Sequence, residues 1–171
     1  MVFARTKLML QDNCFEQDPG DVELNYLGPN PHKLYKMIFT IMKSVFRAAD
    51  SDVQEEKFSW GKKETEKFKT RIYLHKDMDK FTHILIRFDL SGQGTENSGN
   101  AKIRVKSVIR TEYPQDTVWQ RSLFYEFMRT LWHNLFYHQK RIGYAEECRH
   151  YVVVFQKKML EVFRQLNEQQ S

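Results

Sequence analysis

Between residues 66 and 111, apolar and charged side chains alternate with the two-residue period of half-buried strands. In residues 66–75 the even positions Phe68, Thr70, Ile72 and Leu74 oppose Lys67, Lys69, Arg71, Tyr73 and His75. In residues 81–90, Ile84, Ile86, Phe88 and Leu90 oppose His83, Arg87 and Asp89, with Phe81 and Leu85 as apolar exceptions. In residues 101–111, Ile103, Val105 and Ile109 alternate with Lys102, Arg104, Lys106 and Arg110, and Val108 is the exception. Three such runs predict a sheet with one packed side and one strongly cationic side. The polar turn Lys76-Asp77-Met78-Asp79-Lys80 predicts a hairpin between the first two. A turn centred on Met78 would set Tyr73 against His83 and Lys69 against Arg87. Like charges so placed repel by roughly a few tenths of a kcal/mol, which a bound anion, or nearby carboxylates such as Asp89 or Glu112, would relieve.

The flanking segments read as further strands and as helices. Val22, Leu24 and Tyr26 alternate as a short strand, and Phe58 and Trp60 share one face of another before a turn at Gly61-Lys62-Lys63. Asn30-Pro31 predicts a helix start, with Asn30 as cap and Pro31 at the first helical position. Leu34, Ile38, Ile41, Val45 and Ala49 follow at helical spacing, and Asp50-Ser51-Asp52 predicts the end. Residues 91–100 read as a loop without strand or helix pattern. Its glycines Gly92, Gly94 and Gly99 lack the helix and the lysine-serine pair of a phosphate loop. From a cap at Asp116 or Thr117 a helix is predicted to about Arg141. Leu123, Phe124, Phe127, Met128, Leu131 and Leu135 form its core stripe, beside a mixed stripe of Arg121, Tyr125, Arg129, Trp132, Phe136 and Lys140. Gly143 predicts a break before a last helix over 144–166, with a core face of Cys148, Val152, Phe155, Met159, Val162 and Leu166.

The predicted fold is therefore α+β: an antiparallel sheet of about four to six strands, with one N-terminal helix and two C-terminal helices packed on one face. Residues 1–20 are expected to be an N-terminal arm or edge strand, ahead of a single domain over 21–171. The Pro19-Gly20 turn would separate the two.

Composition narrows the function classes. A chain of 171 residues with 41% hydrophobic and 14% aromatic content can bury a real core. Net charge of +5 and a pI near 9.1 favour anionic partners. Two cysteines, Cys14 and Cys148, make no disulfide framework, so a reducing, cytoplasmic home is expected. The first ten residues carry Arg5 and Lys7 inside their apolar stretch and read as a poor signal peptide. Apolar runs are too short for a membrane span, so a soluble protein is expected.

Candidate chemistry is sparse. Cys148 and His150 are two apart on a helix and point to different sides, and His133 and His138 are no better spaced as ligands. Neither a metal nor a cofactor is expected. The acidic pairs Asp77/Asp79, Glu55/Glu56 and Glu146/Glu147 fall in turns or on solvated faces, and no nucleophile elbow occurs. What remains is the cationic face. Lys67, Lys69, Arg71, Arg87, Lys102, Arg104 and Lys106 would meet phosphates, with Tyr73 as a stacking platform. The expectation is a non-enzymatic module docking on a polyanion, most plausibly RNA or the ribosome. The mixed aromatic and basic helix stripe offers a second expectation, attachment to an anionic membrane surface. Oligomeric state is left open.

The order of elements, a helix, then an antiparallel sheet, then a long terminal helix, is similar to the START-like helix-grip fold over roughly residues 22–166. That resemblance implies a curved sheet wrapped on the terminal helix, and a pocket for a lipid or another hydrophobic small molecule. Phe58, Trp60, Ile72, Ile86, Phe88, Phe127 and Leu131 would line it. The stretches Gly28-Pro29-Asn30-Pro31-His32-Lys33-Leu34-Tyr35 and Arg110-Thr111-Glu112-Tyr113-Pro114-Gln115-Asp116 look like segments of small uncharacterised archaeal proteins, which implies no particular activity.

Overall fold

The computed structural model describes residues 9–15, 20–62 and 65–168. Six antiparallel strands form one sheet: β1 (Met9–Asn13), β2 (Asp21–Gly28), β3 (Val53–Lys62), β4 (Glu66–Asp77), β5 (Thr82–Gly94) and β6 (Gly99–Glu112). The helices are α1 (Lys33–Phe46), α2 (Leu123–Trp132) and α3 (His138–Glu168), the last two joined by a π-helical turn at His133–Tyr137. Strands β3, β4, β5 and β6 follow one another across the sheet. On the far side of β6, β1 pairs with its end, Met9 facing Glu112, and β2 with its beginning, Leu24 facing Ile103. Both are therefore edge strands on the same edge. The fold is α+β.

Alternation places the apolar half of each long strand inward. Ile72, Leu74, Ile84, Ile86, Phe88, Leu90 and Ile103 are fully buried. Against them α1 packs Leu34, Ile38, Met42 and Phe46, and α3 packs Cys148, Val152, Phe155, Met159, Phe163 and Leu166. The ring of Phe155 lies 5.0 Å from Phe88 and 6.2 Å from Phe46, at the centre of this layer. Each fully buried side chain of this size contributes about 1.5–3 kcal/mol relative to exposure.

Several local expectations are corrected. Asn30 does not cap α1 with its side chain. It adopts a left-handed φ of 52°, and its carbonyl receives the Lys33 N–H at 3.0 Å. The helix then ends at Phe46, because Arg47 also turns left-handed and its N–H returns to the Lys43 carbonyl. Residues 91–100 are not a loose loop: β5 and β6 run on until Gly94 faces Gly99. A Cβ on either glycine would fall 2.6 Å from the other's Cα, so the close approach needs both. Nor is there a break at Gly143, since α3 passes through it. The irregularity falls earlier, at the π turn. On α3 it is Phe163, not Val162, that completes the buried stripe. The residues at 1–8, Pro19 of the expected Pro19-Gly20 turn and Lys63 of the expected Gly61-Lys62-Lys63 turn lie outside the described residues.

The cysteines are also corrected. Cys14 and Cys148, 134 residues apart, form a disulfide. It fastens the segment after β1 to α3, and both cysteines are buried. Disulfides persist in oxidising surroundings or in hyperthermophile proteins, so the low cysteine count no longer argues for a reducing home. No described helix is long and apolar enough to cross a membrane.

A polar hub holds the α2–α3 junction to the sheet. Asp79, in the turn between β4 and β5, accepts the N–H groups of Phe81 and Thr82, each at 2.9 Å. Tyr137 and Tyr144 donate to it at 2.9 Å, and the Lys140 ammonium stands 3.0 Å away. Desolvation alone would raise this carboxyl's pKa. The N–H of Phe81 and the Lys140, Tyr137 and Tyr144 donors outweigh it and hold the pKa well below the usual carboxylate range. An ionised Asp79 can only accept, which orders the chain behind it. Tyr137 gives its proton to Asp79, so Thr82 donates to Tyr137 at 2.6 Å, Thr111 donates to Thr82 at 2.8 Å, and Arg141 Nε donates to Thr111 at 3.1 Å.

Candidate functional site

The outer sheet face is formed by the odd residues of β4 and β5 and the even residues of β6, and α1 and α3 both lie on the opposite side. Lys67, Lys69, Arg71, Tyr73, Arg87, Lys102, Arg104 and Lys106 all project from this face, as alternation requires. They divide into two groups.

At the centre the cations are paired. The hairpin register sets Tyr73 against Arg87, Lys69 against Ser91 and Arg71 against Asp89. The pairs expected from a turn at Met78, Tyr73 with His83 and Lys69 with Arg87, do not form. The turn instead spans the Asp79 hub, with Met78 and Asp79 N–H groups both donating to the Thr82 carbonyl. Four residues of register shift preserve every side chain's face but exchange a repulsive pair for an attractive one. Arg71 Nε donates to Asp89 at 2.6 Å, and Arg87 Nε lies 2.9 Å from the same carboxylate, at ion-pair distance but without hydrogen-bond alignment. A bulge between Glu55 and Lys57 frees Glu56 to stand 3.6 Å from Arg71. On β2, Glu23 receives Arg104 at 2.6 Å and Lys102 at 2.8 Å, and these donors hold its pKa below the usual range. One carboxylate shared by two cations leaves that cluster positive. Like-charge crowding on the hairpin thus gives no argument for an anion, because Asp89 and Glu23 supply local relief.

At the end of the sheet away from the hub, the cations are freer and the surface is concave. A groove of about 580 Å³ is lined by Lys67, Lys69, Lys102, Asn25, Ser91, Gln93 and Asn100, together with Tyr26, the exposed Leu27, Phe68, Gly92 and Ala101. No helical residue lines it, which places it on the outer side. A second hollow continues it past Lys67, Gln93 and Asn100 to Gly94, Gly99 and Thr65. Among the described residues no acid is paired with Lys67 or Lys69. Two unpaired lysines, a third held by Glu23, side-chain amides and a hydroxyl therefore line one open trough. Lys106 stands apart, between Arg87 on β5 and Asp21 on β2, and Arg110 is hydrogen-bonded to Gln11 at 3.0 Å.

The residues expected to line an apolar pocket lie in three places. Ile72, Ile86 and Phe88 are in the solid layer against α1 and α3. Phe58 and Trp60 are exposed on edge strand β3, where their rings stack on each other at 6.0 Å and Tyr35 lies 5.3 Å from Phe58. Phe127 and Leu131 are on α2, whose expected core stripe is turned outward: Leu123, Phe124, Phe127, Met128, Leu131 and Leu135 are all exposed. Of the mixed stripe, Arg129 and, in part, Tyr125 turn toward the fold, while Arg121, Trp132, Phe136 and Lys140 stay exposed. Arg129 is 5% exposed, with its guanidinium 5.4 Å from the Tyr113 ring. Trp119 and Phe136 extend the outward apolar surface at either end. The physical reason is that the buried anchor of α2 is a cation seated on aromatics, which a hydrophobicity pattern ranks on the wrong side.

One cluster absent from the sequence candidates appears where β4 meets β5. Asp77 pairs directly with His83, and His75 lies two residues back on the same face. The two imidazole rings are 4.5 Å apart. Burial, then the neighbouring His75, push the His83 pKa below its ordinary value. A His-x-Asp strand facing a histidine was visible in the sequence, but only with the hairpin register in hand.

No protein-family model matches the chain, and no curated protein matches it in sequence.

Proposed function

We propose that the protein is a non-enzymatic docking module whose outer sheet face binds a polyanion, with single-stranded RNA as the favoured partner, alone or displayed on the ribosome. The supporting observation is the trough at the end of the sheet, where Lys67, Lys69 and Lys102 stand around Asn25, Ser91, Gln93 and Asn100. Ammonium groups meet phosphates, and the amides can pair with the sugar or base edges of an unstacked strand. Arg104, shared with Lys102 on Glu23, and Lys106 extend the positive path across β6. Arg71 and Arg87, held by Asp89 and with Glu56 beside Arg71, act as a neutral shoulder, with Tyr73 next to them as a stacking surface.

Binding of this kind releases counterions, so affinity is expected to fall steeply with salt, by about 0.7 in log–log slope for each single-strand phosphate contact. The combined change Lys67→Glu, Lys69→Glu and Lys102→Glu is expected to lower that slope by about 2 and to abolish binding at physiological salt. Fluorescence anisotropy with a short labelled RNA over a salt series measures both. Affinity independent of salt, or untouched by the triple change, would remove the proposal.

A second reading rests on a separate observation, the outward apolar face of α2. Soluble monomers rarely leave so continuous an apolar surface uncovered. Trp119, Phe124, Phe127, Leu131 and Phe136 suit the headgroup boundary of a bilayer, and exposed Arg121 and Lys140 beside them suit anionic lipid. Flotation with phosphatidylserine vesicles is expected to carry the protein upward, and Phe127→Asp with Leu131→Asp to leave it at the bottom. Sedimentation of the unaltered protein as a dimer that the same changes dissociate, without flotation, would give that face to a second copy instead. The hydrophobic-carrier reading, with a lipid or small molecule as ligand, draws less support, because its residues are divided among the buried layer, edge strand β3 and the outer side of α2.

A further inference from the structure

We propose that His75, Asp77 and His83 bind one divalent cation of the zinc class at the turn end of the β4–β5 hairpin, with water completing its shell. The site is independent of the trough, which lies at the opposite end of the same sheet face. Its donor atoms, one from each residue, all lie within 4.8 Å of one another. Tetrahedral zinc, with bonds of about 2.0–2.1 Å, sets its ligands roughly 3.3 Å apart, so modest side-chain rotations close the set. His75 Nδ1 is already 3.8 Å from Asp77 Oδ1.

The strand pair supplies what three convergent donors require. Residues two apart on a strand share a face, and a directly paired residue on the neighbouring strand closes the triangle. The β4–β5 register does this through Asp77 and His83. The hub fixes the hairpin turn two residues beyond Asp77, because Asp79 is held from both the turn and the α2–α3 junction. The donors therefore sit on a braced backbone rather than a loose tip. His75 and Asp77 are exposed, which leaves the ion a path and room for water.

Charge and donor type choose the ion. Two imidazoles with one carboxylate suit zinc and its late first-row neighbours, whereas calcium and magnesium take oxygen shells. Arg110 pairs with His83 from β6 and is an adverse charge, but its guanidinium is turned to Gln11, with Nε at 3.3 Å and Nη2 at 3.0 Å. Glu112, two residues along β6, lies on the same side and offsets it.

The test is isothermal titration of untagged protein with zinc chloride, repeated with cobalt chloride to read the visible bands of low-coordinate cobalt. One equivalent is expected to bind with roughly micromolar affinity, and His75→Ala and Asp77→Asn each to weaken it by at least ~10-fold. Both changes fall on exposed positions, and circular dichroism confirms that the variants are folded. His83→Ala is expected to abolish the cobalt bands. Millimolar magnesium or calcium is expected not to compete. Absence of saturable zinc binding below about 0.1 mM, or binding unchanged in the His75→Ala, Asp77→Asn double variant, overturns the proposal.

Discussion

Cys14→Ser is expected to lower the free energy of unfolding by about 2–5 kcal/mol, the range found when native disulfides are removed. The bond closes a loop whose ends are 134 residues apart. The chain-entropy treatment gives about 5 kcal/mol for a loop of that size, an upper value because the unfolded chain keeps some structure. In the folded state the loss is local as well. Cys14 donates its N–H to Ser107 at 3.0 Å, so the bond holds the edge of the sheet against α3. Urea denaturation of the variant against the unaltered protein measures the change. Both sulfurs are buried, so dithiothreitol is expected to act only under conditions that open the fold. Equal stability of the two proteins, or a free-thiol titre of two in the native protein, would contradict the linkage.

Asp79→Ala is expected to cost about 2–4 kcal/mol, because it strands donors that were aimed at a carboxylate in a partly buried turn. The N–H groups of Phe81 and Thr82 lose their acceptor, and Lys140 and Tyr144 lose theirs. The pH dependence follows in sign. The folded pKa lies below the unfolded value near 3.8, so the contribution is fully present above that value and disappears as the pH falls toward the folded one. Stability of the unaltered protein is therefore expected to drop between neutral pH and pH 3 more steeply than that of Asp79→Asn, which keeps the shape without the charge. Parallel acid limbs for the two proteins would assign the hub no electrostatic role. Hydrogen exchange at the π turn should rise in the alanine variant, because Tyr137 loses its anionic partner.

The sheet was legible in the sequence because its period is two and three long strands obey it. Every cation from Lys67 to Lys106 assigned to the outer face is on it, including those that flank the exceptions Leu85 and Val108. Register was not legible. Turns centred at Met78 and at Lys80 give identical faces; the observed one carries the Asp79 hub, which takes N–H groups of its own turn and donors from the α2–α3 junction more than fifty residues away in sequence. That shift of four residues determines whether the hairpin looks overcharged or balanced, and it also assembles the two histidines with Asp77. The α2 stripe failed for a different reason. Hydrophobicity ranks Phe127 and Leu131 above Arg129 for burial, yet Arg129 finds Tyr113 and Tyr125 rings beneath it. The disulfide was hidden by separation alone, since nothing local marks Cys14 as a neighbour of Cys148. The trough likewise depends on β2, from near the start of the chain, meeting β6 from its middle, with Asn25 and Lys102 paired side by side.

Amide chemical-shift mapping with a short single-stranded RNA tests the polyanion role most directly, since it reads which surface is touched. Perturbations concentrated at Lys67, Lys69, Ser91, Gln93, Asn100 and Lys102, and fading as salt is raised, are the expected result. A spectrum unchanged by RNA, or one whose changes gather on α2 while the trough stays silent, would contradict it.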